Sequence, residues 1–327
     1  MQIKLQTEAP SRSRCFTRLD YSAMRPMPVM QIRDALRRGI ARLDEASVPS
    51  GALSAELLLI HVLGRDRTWL YTHPEDVIPH DREEEYFRLI SRRVAGEPAQ
   101  YITGKQEFWG LDFEVTSAVL IPRPETEYLV EVALARIGAE NRSESVRIAD
   151  VGTGSGCIAV TLAKELPNAQ ILATDISAAA LDVAQRNAAR HNVANQIQFA
   201  EADLLELTCH RSPTHPSQLF DLIVSNPPYV ANSDRDTLQR EIREHEPEIA
   251  LFGGPTGLEI YAHLIEQAES RLAQNGVLVV ESGYGAAERI REMIEARSVW
   301  QDITVTNDLA GIPRVLAASF TGGPRRE

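Results

Sequence analysis

Asp150-Val151-Gly152-Thr153-Gly154-Ser155-Gly156 constrains this chain more than any other segment. Val146-Arg147-Ile148-Ala149 before it reads as a short strand. Cys157 to Lys164 after it reads as a helix that stops before Pro167. A strand, a glycine turn and a helix open a nucleotide-binding βαβ unit, because glycines let the backbone come close to a ligand. The next strand, Gln170 to Thr174, ends on Asp175, about 20 residues beyond the glycines, where an acid can hold ribose hydroxyls. A solvated carboxylate and a glycine turn without a ligand are the bland alternatives, and the strand–helix context weighs against them.

Cofactor chemistry divides on charge. Dinucleotide sites use G-x-G-x-x-G to seat a pyrophosphate on a helix N-terminus. Here the spacing is Gly152-x-Gly154-x-Gly156, which does not match. Asp150, at the end of the strand, would repel a pyrophosphate but attract a cationic amino-acid moiety. S-adenosylmethionine carries a sulfonium and an amino group and no phosphate, so charge favours it as the cofactor.

Asn226-Pro227-Pro228-Tyr229 follows an apolar run, Phe220 to Ser225, that reads as a buried strand. Consecutive prolines fix two φ angles and remove two backbone donors. The Pro227 carbonyl has little chance of being spent in regular structure. The Asn226 amide oxygen and the Pro227 carbonyl make a rigid acceptor pair, and Tyr229 offers a flat surface beside them. Such a site suits a planar NH2 group. A turn-forming Asn before Pro is the bland alternative; the cofactor half upstream favours function.

The chain of 327 residues is long enough for two domains, and 43% apolar with 24% charged residues is ordinary for a globular protein. No apolar run approaches the roughly 18 residues of a membrane helix. A net charge of −12 argues against non-specific clamping of DNA, which normally shows a basic face. Cys15, Cys157 and Cys209 are widely spaced and point to a reducing compartment rather than a disulfide framework. Cys157 reads as a packed small side chain, with no base implied beside it.

Residues 1–28 are Arg-, Ser- and Pro-bearing without an apolar face, and read as a disordered tail that lacks a secretory segment; an organelle transit peptide is the alternative. Residues 29–96 read as a small helical bundle: Ile32, Leu36, Ile40 and Leu43 share one face, Leu53 to Leu63 form a second helix closed by Gly64, and Asp81 caps a third that ends at Gly96. His61 reads as structural. Residues 97–121 read as strands, Tyr101-Ile102, Glu107 to Trp109 and Phe113 to Val115, forming a hairpin that joins two domains. From 122 to 327 strands and helices alternate, which predicts an α/β domain with a mostly parallel Rossmann-like sheet and its ligand sites at the C-terminal strand ends. In 205–219, Cys209, His210 and His215 lack metal-ligand spacing, so no metal is expected. Glu241, Glu244, Glu246 and Glu248 read most simply as a solvated face.

Together these segments resemble the release factor glutamine methyltransferases, class I S-adenosylmethionine-dependent enzymes. The likeness rests on Ala149 to Ala159, Asp175, Asp203 and Asn226 to Tyr229. It also rests on Ala95 to Pro98, Tyr101 to Gly104, Glu107 to Gly110, Leu120 to Glu127, Glu246-Pro247, Ala250-Leu251 and Gly253-Gly254, spanning roughly 30–320. The glycine segment says only methyltransferase. The Asn-Pro-Pro-Tyr motif is shared with adenine and some guanine methyltransferases, while 121–127 points to the glutamine family.

The resemblance implies an antiparallel C-terminal edge strand. It implies methylation of the glutamine of the Gly-Gly-Gln motif of class I peptide chain release factors, docked by the helical domain, and a role for Glu246-Pro247 in closing the site. By position, Asp150, Gly152, Thr153, Gly154, Ser155 and Gly156 line the methionine portion of the cofactor. Asp175 takes the ribose, Asp203 and Leu204 the adenine, and Asn226 also contacts the cofactor. Leu204 departs from relatives that carry an aromatic there. Asn226, Pro227, Pro228 and Tyr229 hold the substrate, with Arg123 and Glu125 closing the loop over it. A cytoplasmic monomer that needs no nucleic acid is expected. The competing reading, a nucleic-acid exocyclic-amino methyltransferase, should bring a basic recognition domain or aromatic platforms, and neither is visible.

Overall fold

The computed structural model describes residues 30–138, 145–207 and 219–322. The expected tail 1–28, Cys15, Cys209, His210 and His215 lie outside the described residues.

The N-terminal region is helical: α1 (Ile32–Glu45), α2 (Gly51–Leu63), α3 (Arg67–Thr72), α4 (His80–Val94) and α5 (Ala99–Thr103). Ile32, Leu43, Leu58, Leu59, Leu89 and Ile90 bury together between them. Each such side chain is worth about 1.5–3 kcal/mol of transfer free energy. Two local readings shift, and a short helix is added. The cap position of α4 falls at Pro79 rather than Asp81, because proline presets the entry angle. The short α3 is capped by Asp66, which accepts from the Trp69 amide at 2.7 Å. Tyr101-Ile102, expected as a strand, lies in α5: Pro98 opens a single turn, Gly104 closes it in the left-handed region, and Ile102 packs into the bundle.

β1 (Lys105–Phe108) and β2 (Leu111–Glu114) form the expected antiparallel hairpin, with Phe108 paired to Leu111. The buried Asn187 fastens β2 to the glycine turn. Its Oδ1 accepts from the Glu114 amide, and its Nδ2 donates to the carbonyls of Glu114 and Ser155.

The remaining elements are α6 (Thr126–Ile137), β3 (Arg147–Val151), α7 (Cys157–Glu165), β4 (Gln170–Asp175), α8 (Ala178–Arg190), β5 (Ile197–Asp203), β6 (Glu206–Leu207) and β7 (Phe220–Ser225). They continue with β8 (Val230–Ala231), α9 (Arg240–His245), β9 (Phe252–Gly254), α10 (Glu259–Arg271), β10 (Leu272–Glu281), α11 (Ala287–Glu295), β11 (Trp300–Asn307) and β12 (Pro313–Phe320). The main sheet has the order β11-β12-β10-β7-β3-β4-β5-β6. β10, β7, β3, β4 and β5 are parallel, and β12, lying between β10 and the edge strand β11, runs antiparallel to both.

Alternation along the strands sorts the core onto two faces. Ile148, Leu222, Val224, Val277 and Val279 pack with Leu129 and Val130 of α6 and Ile158 and Leu162 of α7. Ala149, Val151, Ile223, Leu278 and Val280 pack with Leu264 and Ile265 of α10 and Ile290 of α11. Asp150 has the parity of Ile148 and so faces α7; Glu281 has the parity of Val279 and so faces α6. Among the described residues no helix is long and apolar enough to cross a membrane.

Candidate active site

β3 and β7 are neighbours, with Val151 paired to Ser225. The Ser225 hydroxyl donates to the Val151 carbonyl at 2.7 Å and joins the strand ends. The glycine turn and the Asn-Pro-Pro-Tyr segment therefore leave the sheet side by side, at the carboxyl ends where open α/β sheets bind ligands.

The turn is tied down from behind. The amides of Gly152 and Thr153 both donate to the Thr174 carbonyl at 2.9 Å. Gly152 and Gly154 adopt φ of +72° and +55°, and a Cβ on either would meet nothing within 4 Å. Their Cα atoms therefore face open space. Gly156 serves packing instead: a Cβ there would lie 3.0 Å from the Ala184 side chain of α8.

A cavity of about 230 Å³ opens above the turn, and its wall is mainly apolar. Gly152, Thr153, Gly154 and Ser155 form one side, Asp175, Asp203 and Leu204 another, and Asn226, Pro228 and Arg123 a third. Of the sequence-predicted site residues, these reach the wall. Asp150, Gly156, Pro227, Tyr229 and Glu125 lie off it. Ile176 and Ile249, half-exposed apolar residues unremarked in the sequence, line it as well.

Asp175 accepts from the Gly154 amide through Oδ2 and from the Ser177 amide through Oδ1, both at 2.9 Å. Burial pushes its pKa up, and the backbone donors at Ser177, Gly154 and Ile176 oppose that. Asp150 is fully buried behind the turn, where α7 covers its face of the sheet. Its Oδ2 accepts from the Thr153 hydroxyl at 2.6 Å and the Ala159 amide at 3.1 Å, while Oδ1 has no partner among the described residues. Burial pushes this carboxyl up to about 7. Asp150 thus shapes the turn from beneath rather than lining the cavity.

The Asn226 Nδ2 donates to Thr126 Oγ1 at 3.1 Å. No described residue donates to its Oδ1, nor to the Pro227 carbonyl. The prolines are held by close backbone contact. A Cβ on Gly253 would fall 2.3 Å from the Pro228 carbonyl oxygen, and one on Gly257 2.2 Å from that of Tyr229. The Val230 amide donates to the Leu251 carbonyl at 2.9 Å and continues the contact into the β8–β9 pair. Tyr229 is partly buried against Gly283, and burial, with Glu281 nearby, pushes its phenol up to about 12.

Glu246 overturns its reading as part of a solvated face. Its side chain is 1% exposed and paired with Arg123, and it accepts from the Ile121 amide at 3.4 Å. Burial raises its pKa and Arg123 opposes the rise. Glu241 is likewise paired, with the buried Arg93 of α4. Sequence reasoning missed these pairings, and with them Thr126 and Glu281. The signal it had was a carboxylate closing the wholly apolar strand Val277 to Val280.

The residues present fit S-adenosylmethionine. The glycine cradle is open, a carboxylate oxygen without a partner among the described residues lies under it, and the basic side chain on the wall, Arg123, is paired with Glu246 rather than left for a phosphate. A family model described as PrmC N-terminal domain matches residues 34–104, and one described as Methyltransferase small domain matches 130–249. A Koribacter versatilis protein named Release factor glutamine methyltransferase is 46% identical, covering 88% of this chain and 98% of its own. A Chlorobaculum tepidum protein of the same name is 43% identical, covering 88% and 97%. Among solved structures, the hMettl16 catalytic domain in complex with a MAT2A 3′UTR hairpin shares the fold. Its TM-score is 0.53 at 19% identity, over 77% of this chain and 87% of that one.

Proposed function

The chain belongs to the release factor glutamine methyltransferase family, and on that premise we propose that Asn226 and Pro227 grip the carboxamide of the target glutamine, the one in the Gly-Gly-Gln motif of class I peptide chain release factors. The enzyme is S-adenosylmethionine-dependent and methylates release factor glutamine.

An amide nitrogen is a poor nucleophile, because its lone pair is delocalised into the carbonyl. The site must orient it and support the charge it acquires. Asn226 Oδ1 accepts one N–H and the Pro227 carbonyl the other, which aims the nitrogen across the cavity. Both acceptors strengthen as positive charge develops, so they favour the transition state over the ground state. S-adenosylmethionine, when bound, supplies an electrophilic sulfonium methyl, and transfer leaves S-adenosylhomocysteine. The proton on the methylated nitrogen departs afterwards, so the motif carries no dedicated base. Tyr229 covers the carboxamide and excludes water.

Gly152 to Ser155 make room for the methionine portion, with Asp150 supplying charge from below. Asp175 holds the ribose hydroxyls, Asp203 and Leu204 the adenine. Arg123, fixed by Glu246, closes one rim, with Glu125 behind it. Residues 29–96 dock the release factor, 97–121 join the domains, and 122–327 carry the chemistry. The protein works as a cytoplasmic monomer and needs no nucleic acid.

The observation that carries this reading is the anchoring of Asn226 Nδ2 on Thr126, which leaves the amide oxygen as the group to be used. Methyl-labelled S-adenosylmethionine, incubated with release factor, with tRNA or rRNA, and with DNA, tests it. Label on the Gly-Gly-Gln glutamine is expected. Label on nucleic acid but not on protein would transfer the site to exocyclic amines.

A further inference from the structure

We propose that Thr126 and Glu281 are positioning residues for the methyl acceptor, holding Asn226 in the one amide orientation that turns its oxygen toward the substrate. The inference rests on the acceptor role given to Asn226 above and concerns what enforces it.

Three elements bring these residues together. Asn226 is the first residue after β7, Thr126 the first of α6, and Glu281 the last of β10, which pairs with β7. α6 lies across both strands. Thr126 is 2% exposed and Glu281 1%. Asn226 Nδ2 donates to Thr126 Oγ1 at 3.1 Å, and the Thr126 side chain favours the ionised form of the Glu281 carboxyl.

A count of protons then fixes the amide. A threonine hydroxyl has one proton to give, and an ionised carboxylate only accepts. With Glu281 ionised, the Thr126 proton goes to it, and Oγ1 is left able only to accept. Asn226 must present its NH2 to that oxygen, so Oδ1 points away from Thr126. A flipped amide would set two oxygen atoms against each other with no proton between them. An asparagine on a free surface has no such preference, and an acceptor that turned over half the time would offer the substrate a second NH2.

Protonation of Glu281 removes the constraint. A neutral carboxyl can donate to Thr126 Oγ1 and release the Thr126 proton toward Asn226 Oδ1. The groups around Glu281 set where this happens. Arg314 of β12 and Arg123 ahead of α6 favour the ionised form, while Glu125 disfavours it. Tyr229, Tyr261 and Cys157 also feel its charge and contribute no cation. Burial dominates and pushes the carboxyl up to about 7. Glu281 Oε2 has no hydrogen-bond partner among the described residues. A purely structural residue here would gain from being neutral, which is what a catalytic demand for the charged form would override.

The test uses the full-length enzyme with a release factor substrate and the variants Thr126→Val, Thr126→Ser and Glu281→Gln. Valine keeps the volume of threonine and loses the hydroxyl. Thr126→Val should lower kcat about 100-fold, the scale of losing one fixed polar contact to the transition state, with the S-adenosylmethionine Kd within about threefold. Thr126→Ser should recover kcat to within about tenfold of wild type. Wild-type kcat should rise from about pH 6 to pH 8 as Glu281 ionises, and Glu281→Gln should be slower and flat across that range. A Thr126→Val enzyme within threefold of wild type, or a Glu281→Gln enzyme that keeps the wild-type pH profile, overturns the inference. The pH arm decides alone if Thr126→Val does not fold. Wild-type enzyme that labels no release factor glutamine would instead defeat the acceptor reading itself, and this shows before any variant is made.

Discussion

Arg93 of α4 and Glu241 of α9 form an ion pair, with side chains 5% and 23% exposed, that joins the helical bundle to the segment over the cavity. Arg93 also donates to the Ser54 hydroxyl and the Glu97 carbonyl, and Arg240 donates to the Ala95 carbonyl at 3.0 Å. α9 leads directly into Glu246, which holds Arg123 and the Ile121 amide at the cavity rim. The bundle is therefore tied to the cavity rim through α9. Removing one member of such a pair strands a buried charge. Glu241→Ala should cost about 3 kcal/mol of unfolding free energy. The double variant Arg93→Met/Glu241→Leu should recover most of it. Urea denaturation measures both, and a Glu241→Ala midpoint equal to wild type would show the pair to be idle.

Two glycine replacements should separate folding from binding. Gly154 has open space where a Cβ would go, so Gly154→Ala meets only the strain of φ +55°, about 1–2 kcal/mol. Its cofactor affinity should fall at least about tenfold, because the added methyl occupies the cradle. Gly253 has the Pro228 carbonyl oxygen 2.3 Å from a Cβ position. Gly253→Ala must push the Asn226–Tyr229 backbone aside, so kcat should collapse while cofactor affinity changes little. Calorimetric titration and steady-state kinetics on both variants check the pattern. Similar profiles for the two would refute the assignment of these glycines to different ligands.

The parts that read clearly from the sequence are those whose physics is local. The strand–glycine–helix unit at 147–165, the stiff prolines and the apolar strand at 277–280 announce themselves by composition and period. Tyr101-Ile102 misled because two β-prone residues sit in a single turn whose shape Pro98 and Gly104 dictate. Glu246 misled because Glu244 and Glu248, two residues to either side, are charged and exposed, whereas its partners Arg123 and Ile121 lie more than a hundred residues away. The bond from Asn226 to Thr126 spans 100 residues of sequence, and no spacing rule encodes it. What decides the orientation of the acceptor is thus tertiary, even though the acceptor itself is a four-residue motif.

Stability should fall as pH rises toward neutrality. Asp150 and Glu281 are both pushed up to about 7 by burial. A carboxyl whose folded pKa lies above its unfolded value stabilises the fold fully below the unfolded pKa. That contribution is lost as pH climbs through the folded one, so the window here runs from about 4 to about 7. Each group contributes at most about 1.4 kcal/mol per pH unit within it. Glu281→Gln cannot titrate there. It should match wild type near pH 4.5 and be more stable than wild type at pH 8, while being the slower enzyme. Urea midpoints at the two pH values measure this, and a Glu281→Gln protein less stable than wild type at pH 8 contradicts the assignment.

Asn226→Asp is the most discriminating single change at the acceptor. Aspartate has the size of asparagine and keeps an oxygen facing the cavity, so an acceptor oxygen alone would leave the enzyme working. The second carboxylate oxygen, however, replaces the NH2 that donates to Thr126. Thr126 then has one proton and two carboxylates asking for it, at position 226 and at Glu281. Mutual repulsion raises the pKa of the pair, and the shared proton leaves the oxygen facing the cavity unfixed. Asn226→Asp should therefore be about as inactive as Asn226→Ala, with kcat at least about 100-fold below wild type and cofactor affinity nearly unchanged in both. Adding Glu281→Gln to Asn226→Asp removes the competing carboxylate and frees the Thr126 proton for the new one. Partial recovery of kcat is expected in that double variant and in no double variant built on Asn226→Ala. Steady-state kinetics on the four enzymes reads the coupling directly, and additive losses would mean that Glu281 and residue 226 act independently.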